Sequence, residues 1–157
     1  MDSVASDFYD FLVGYQEGDD KLDPIILNDK GESEFTSANT SVGKMPLKPI
    51  NFTTLYDIGG EMQNPALGLD HSSLQFKVRS VKYDEGWDRT HKLYNAFNGL
   101  PPRNKGDFRY VSSIAMTDGS FVGVDENQYY CFTLTLNVIR TPMDAGNRQT
   151  LGRTGDE

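Results

Sequence analysis

The chain contains little of what exported, membrane-spanning or metal-binding proteins depend on. Its 157 residues include one cysteine, Cys131, and two histidines. A single thiol excludes an intrachain disulfide framework and a cysteine zinc cluster, because both need several thiols at short spacing. The sequence has no long apolar run, and its first residues carry acids where a signal peptide carries basic charge. We therefore expect neither export nor a membrane span.

Basic charge is also scarce, and its shortage is confined to one region. The net charge is −8, and residues 1–35 hold ten acids and two bases, whereas the remaining residues hold 13 of each. A duplex-binding domain needs clustered Lys and Arg to release counterions from phosphates, so tight DNA binding is not expected. The acidic stretch is either a solvated surface or one that repels polyanions or meets a basic partner.

Catalytic motifs are absent from the sequence. There is no P-loop, no GxSxG and no GxGxxG motif. Asp84, Asp88 and His91 have the spacing of one helix face, but no second group of ligands accompanies them. We therefore expect no catalytic residues, no metal and no cofactor. A small metal-dependent hydrolase that uses His71, His91 and nearby acids is kept as a remote alternative.

Apolar periodicity predicts two helices and several strands. Spacings of three and four predict a helix from Ser3 to about residue 17, and a second helix that begins at Tyr83 and ends at Gly99. Residues 28–44 are polar and are expected to form a long exposed loop. Alternating apolar residues predict strands, which we place near residues 52–58, 74–79, 107–117 and 128–140.

These elements predict an α+β fold with one mostly antiparallel sheet of four to five strands and two helices packed on one face. Residues 1–140 should form a single domain, followed by a flexible tail at 141–157. The core is expected to lie between one face of the second helix and two strands. Its predicted members are Tyr83, Trp87, Tyr94 and Phe97 on the helix, and Phe76 and Phe132 on the strands.

An ordered series of short motifs runs from residue 45 to residue 140. The motifs are MP with Pro49, LYDIGG at 55–60, LGL at 67–69, LQFKVR at 74–79, YD at 83–84, YNAFNG at 94–99, FVGVDEN at 121–127 and FTLTLN at 132–137. In this order and spacing they resemble the tail terminator proteins of long-tailed bacteriophages, also described as minor capsid or tail completion proteins. Gly86 departs from the pattern, since the family tends to have Ala there.

The resemblance implies a structural virion protein of the tail or neck, assembled in the host cytoplasm. Its subunits would form a homohexameric ring that caps the head-proximal end of the tail tube, stops tube polymerisation and provides the docking surface for the head or neck. The implied partners are the tube protein, a head-closure or neck protein and, in a contractile tail, the sheath protein. Genomic DNA would pass through the ring without specific binding. A head-closure or neck connector protein is the alternative.

Two sets of residues are candidates for an interface or the channel. Glu17, Asp19, Asp20 and Asp23 are expected near the ring's channel, or facing a basic rim of a neighbouring ring, because like charge repels passing phosphates. For Arg79, two interpretations stay open. It either forms a salt bridge across the subunit boundary or is a solvated strand end.

Overall fold

The computed structural model describes residues 3–17, 19–59, 68–116 and 119–143. Within these ranges the chain forms two helices and nine strands. The elements are α1 (Val4–Val13), β1 (Tyr15–Glu17), β2 (Asp20–Leu22), β3 (Thr40–Val42), β4 (Phe52–Asp57), β5 (Asp70–Ser80), α2 (Tyr83–Phe97), β6 (Arg103–Lys105), β7 (Phe108–Ala115), β8 (Ser120–Val124) and β9 (Tyr130–Pro142). The tail predicted at 141–157 lies, from residue 144 onward, outside the described residues.

Helix α1 has a clear beginning and end. The Ser3 hydroxyl accepts a hydrogen bond from the Ser6 amide at 3.1 Å, which satisfies one of the free amides of the first turn. The helix ends at Gly14, whose φ of 77° lies in the region that favours glycine. The helix is therefore shorter than the periodicity predicted, and Tyr15 begins β1.

One strand organises the main sheet. β9 pairs antiparallel with β5 over eleven residues, from Asp70–Arg140 to Ser80–Tyr130. The other edge of β9 is divided between β7 and β8, which both run antiparallel to it. The full order is β3-β4-β5-β9-β7-β6, with β8 beside β9, and β3 runs parallel to β4. β1 and β2 form a separate hairpin.

The predicted sheet of four to five mostly antiparallel strands is therefore wrong. The main sheet has seven strands and is mixed, and a two-stranded sheet accompanies it. The unpredicted members β3, β6 and β8 are short, with three, three and five residues. A strand of three residues is too short to display an alternating pattern, and all five residues of β8 are at least partly exposed. Their strand conformation depends on the neighbours with which they pair.

Both helices contact the same face of the sheet. Phe8 of α1 lies 5.2 Å from Phe97 of α2, between ring centroids, and Phe97 stacks on Phe76 of β5 at 5.4 Å. The polar segment 28–44 also contributes to the core, because Phe35 is fully buried. This segment contains β3, so it is less exposed than the sequence predicted. The largest fully buried side chains are Phe8, Phe11, Phe35, Phe76, Phe97, Phe132, Leu12, Leu55, Leu74, Leu93, Leu134 and Leu136.

The buried face of α2 is not the one predicted from the aromatic spacing. Phe97 is buried, but Tyr83 is 42% exposed, Trp87 is 39% exposed and Tyr94 is half-buried. The helix instead buries a neighbouring stripe with smaller residues, namely Gly86, Thr90, Leu93 and Phe97. A Cβ at Gly86 would clash with the ring of Phe132, so glycine permits close contact between helix and sheet. This close contact rotates Tyr83 and Trp87 toward the solvent.

Candidate assembly surfaces

Four partly exposed aromatic residues form one continuous surface, which we call the aromatic surface: Tyr83, Trp87, Phe121 and Tyr130. The ring of Tyr83 lies 5.3 Å from that of Phe121 and 5.8 Å from that of Tyr130. Buried Phe132 supports them from below, at 5.3 Å from Tyr83, 5.4 Å from Phe121 and 6.4 Å from Trp87. A contiguous patch of exposed aromatic side chains is typical of a protein–protein contact.

The aromatic surface continues into an exposed strand edge. Among the described residues, β8 pairs only with β9, so its other edge has no strand partner. Its side chains are also apolar and exposed, with Phe121 at 43%, Val122 at 61% and Val124 at 49%. An unpaired, apolar edge strand is a ready template for another chain.

Residues 44–50, which we call the proline loop, join β3 to β4 and are held by Arg79. Arg79 Nε donates to the Ile50 carbonyl at 2.9 Å. Its Nη2 donates to the carbonyls of Pro46 at 2.7 Å and Pro49 at 2.9 Å. Arg79 thus has a role inside the subunit, which neither interpretation of the sequence included. Leu47, at the tip of this loop, is 86% exposed.

The opposite end of the sheet contains a buried polar network. Asp7 of α1 accepts a hydrogen bond from the Tyr110 hydroxyl, and Arg140 Nη1 donates to that hydroxyl at 3.3 Å. Lys105 Nζ lies 3.9 Å from Asp7 and 3.2 Å from Asp10. Burial and the Asp7 carboxylate raise the pKa of Tyr110 well above its ordinary range. The network joins α1 to the sheet.

The predicted acidic residues lie on or beside the β1–β2 hairpin. Glu17 and Asp20 face each other across its register, and their side chains lie outside the description. Asp19 and Asp23 are exposed, and Asp23 pairs with Lys21 at 3.2 Å. Asp19 and Asp23 therefore leave acidic charge facing the solvent, where it can act on a partner or on a polyanion.

The residues proposed for a metal-dependent site are not brought together. His71 lies in β5 opposite Ile139, whereas His91 lies on α2 between Trp87 and Tyr94, with ring distances of 5.2 Å and 5.9 Å. In the described ranges no three His, Cys, Asp or Glu side chains converge as metal ligands would. The structure thus gives no geometric support to the hydrolase alternative.

Sequence reasoning missed two features of these surfaces. No strand is predicted at Phe121, although FVGV at 121–124 has the apolar content of a strand. Leu47 is not among the predicted site residues, although it is an apolar residue next to Lys48 in a segment that its prolines keep from being helical. In both cases the only sequence signal for a contact surface was an apolar residue next to turn-forming or charged residues.

Comparison with protein families decides among the remaining classes. The family described as bacteriophage tail terminator protein matches residues 15–142. The chain belongs to this family. The match spans β1 through β9 and confirms the resemblance drawn from the short motifs. No curated protein sequence matches the chain.

Membership in the tail terminator family assigns a general role to the surfaces. The family is structural, and its proteins are virion components. Neither of the two helices in the described part of this tail terminator is long and apolar enough to cross a bilayer. The aromatic surface, the edge of β8 and the proline loop are therefore candidates for contacts within a virion assembly.

Proposed function

We propose that this tail terminator forms a homohexameric ring on the head-proximal end of the tail tube. There it stops the addition of tube protein and gives the head or neck a surface on which to dock. The family match over residues 15–142 carries the proposal. The aromatic surface and the free edge of β8 support it, because a ring subunit must expose apolar and edge surfaces that its neighbours cover.

The proposed partners follow from this position. The ring contacts the tube protein on one side and a head-closure or neck protein on the other, and the sheath protein where the tail is contractile. Genomic DNA passes through the ring without specific binding. The acidic excess in residues 1–35 supports this last point, because exposed acids repel phosphates over a distance of about 8 Å at physiological salt.

The direct test is tube capping. Purified tail tubes are mixed with the protein and imaged by electron microscopy, and tube protein is added to measure further elongation. We expect a six-fold ring at one end of each tube and arrested growth. Tubes that elongate freely with bare ends would refute the function. Rings that bind filled heads but ignore tubes would instead identify a neck connector.

A second test addresses the acids. Replacing Asp19 and Asp23 by Lys should create salt-sensitive DNA binding and slow DNA ejection, while the fold is retained because both side chains are exposed. The matched control replaces Asp29 and Glu32, which are exposed on a different loop. If the first variant ignores DNA and supports normal ejection, the acids are only a solvated surface.

A further inference from the structure

The proline loop and the aromatic surface lie at the same end of the main sheet but toward different edges of it. The loop joins β3 to β4 at one edge, whereas Phe121 lies in β8 on the far side of β9. Two different surfaces toward different edges meet when copies are placed side by side. Such head-to-tail contacts close into a ring when the rotation between copies allows it.

The proline loop is apolar at its tip and basic at its sides. Leu47 is 86% exposed, and both Lys44 and Lys48 are exposed. Neither lysine takes part in an ion pair among the residues that the structure describes. The loop therefore presents one apolar side chain between two available cations.

The aromatic surface has the opposite charge at its margin. Asp84 follows Tyr83 on α2, and Glu126 lies in the turn between β8 and β9. Both are exposed, and neither forms an ion pair within the described ranges. The margin thus offers two available carboxylates beside an apolar surface, which complements the proline loop in both polarity and charge.

We propose that the proline loop of one copy docks on the aromatic surface of the next copy. Leu47 contacts the exposed rings, and Lys44 and Lys48 face Asp84 and Glu126. The occupant of the aromatic surface is thus a second copy of this chain. The inference deepens the proposed function and rests on it, because the ring requires one contact of this kind between each pair of neighbours.

Arg79 prepares the loop for this contact. Its hydrogen bonds to the carbonyls of Pro46, Pro49 and Ile50 hold the backbone in one shape before a partner arrives. A contact loop that is already ordered loses less conformational entropy on binding. Arg79 is therefore a positioning residue for the subunit contact, and it acts through the loop.

Cross-linking between two single-cysteine variants tests the contact directly. One variant carries Leu47→Cys and the other carries Phe121→Cys, both in a Cys131→Ser background. A short bis-maleimide should link the two variants when they are mixed, alone or on tail tubes, and should leave each variant unlinked by itself. The matched control replaces Phe121→Cys with Ile114→Cys, which is exposed elsewhere on the sheet. Equal linking in the control, or none in the mixture, overturns the contact.

Charge exchange tests the same contact without cysteines. Lys44→Glu with Lys48→Glu should weaken self-association by about tenfold or more, and Asp84→Lys with Glu126→Lys should do the same. Mixing the two variants, or combining all four changes in one chain, should restore association. The control exchanges the charges of Lys30 and Glu32, which are exposed outside both surfaces. Failure of both restorations, with folded variants by circular dichroism, overturns the proposal.

The two levels of the proposal fail differently. If the wild-type protein caps tubes as a ring but neither cross-linking nor charge exchange affects that ring, the loop contact is wrong and the proposed function stands. If the wild-type protein leaves tubes bare and uncapped, the proposed function is wrong. Cross-links in the mixture would then mark only a self-association surface.

Discussion

Aromatic residues are buried at one end of the helix-covered face of the sheet and exposed at the other end. At the α1 end, Phe8 and Phe11 are fully buried, and their rings meet Tyr110 edge-on at 5.5 Å and 5.6 Å. At the other end, the rings of Tyr83 and Phe121 also meet edge-on and just as closely, at 5.3 Å, yet both are more than two-fifths exposed. Aromatic contact alone therefore does not produce burial in this protein.

The difference lies in what surrounds the rings. At the α1 end, the Tyr110 hydroxyl bridges Asp7 and Arg140, and these hydrogen bonds offset part of the cost of burying the polar groups beneath the helix. At the α2 end, glycine at position 86 brings the helix close to Phe132 and leaves the larger rings outside. We therefore expect the α1 end to stabilise the subunit, whereas the α2 end is a candidate surface for assembly.

The largest expected effect separates the two ends directly. Phe8→Ala should lower the free energy of unfolding by about 4 kcal/mol, because it empties a fully buried aromatic site. Trp87→Ala should cost only about 1 to 2 kcal/mol, because a substantial part of the ring is already in water. Urea unfolding of both variants measures this contrast. If both substitutions lower the free energy of unfolding equally, the α1 end and the α2 end do not differ in how well they bury their aromatic residues.

The next effect concerns the buried carboxylate of the α1 end. Asp7→Asn should cost about 3 kcal/mol, because it removes a buried charge that Lys105 and Arg140 face, although each keeps a second acid as partner. Asp10→Asn is the matched control, with an expected cost of about 1 kcal/mol or less, since Asp10 is partly solvated. Similar unfolding midpoints for the two variants would show that burial of the network contributes little.

A smaller effect tests whether α2 packs tightly on the sheet even though Trp87 is exposed. Gly86→Ala should destabilise the subunit by about 2 kcal/mol, because its methyl group overlaps the Phe132 ring and this outweighs the better helix propensity of alanine. Asn95→Ala, at an exposed site of the same helix, should be neutral or slightly stabilising. Thermal melts distinguish the two. A stabilised Gly86→Ala variant would mean that α2 packs loosely and that Trp87 is exposed for that reason.

The smallest effect is the response of the α1 end to alkaline pH. The pKa values of Tyr110 and Lys105 are raised above their ordinary 10.0 and 10.5, so the folded state holds both protons more tightly than the unfolded state does. Stability should therefore be constant up to about pH 10 and fall above it. Tyr110→Phe should cost about 1.5 kcal/mol at neutral pH and make the alkaline loss shallower. Urea midpoints across this range provide the measurement, and an unchanged alkaline slope would exclude Tyr110 as its source.

The parts of the fold that could be predicted are those with a strong local pattern. Each of the four longest regular elements buries one face, so the spacing of its apolar residues predicts it. These elements are α1, α2, β5 and β9. The short strands β3, β6 and β8 could not be predicted in this way. Their backbones are extended because β4, β7 and β9 offer them hydrogen-bonding partners, and these partners are distant in sequence or separated by a turn.

The sequence predicts which residues are available for the candidate contact surfaces, but not where the fold places them. The acidic excess, the proline loop and the aromatic residues are all present in the printed sequence. That Tyr83 and Trp87 remain exposed could not be predicted, because their spacing is the same as that of a core face. The hydrogen bonds from Arg79 to the proline loop could not be predicted either, because Arg79 lies about thirty residues from the carbonyls that it binds.

The sequence by itself determined the two helices, the long strands, the uneven charge and the membership in the tail terminator family. These properties depend on local order along the chain: side-chain periodicity, capping residues, composition and short motifs in a set order. Only the tertiary structure decided which stripe of α2 is buried, how seven strands pair, and that Asp7 meets Tyr110 across 103 positions. Such contacts depend on which surfaces approach each other, and close packing lets a single missing Cβ at Gly86 determine which side of a helix faces solvent.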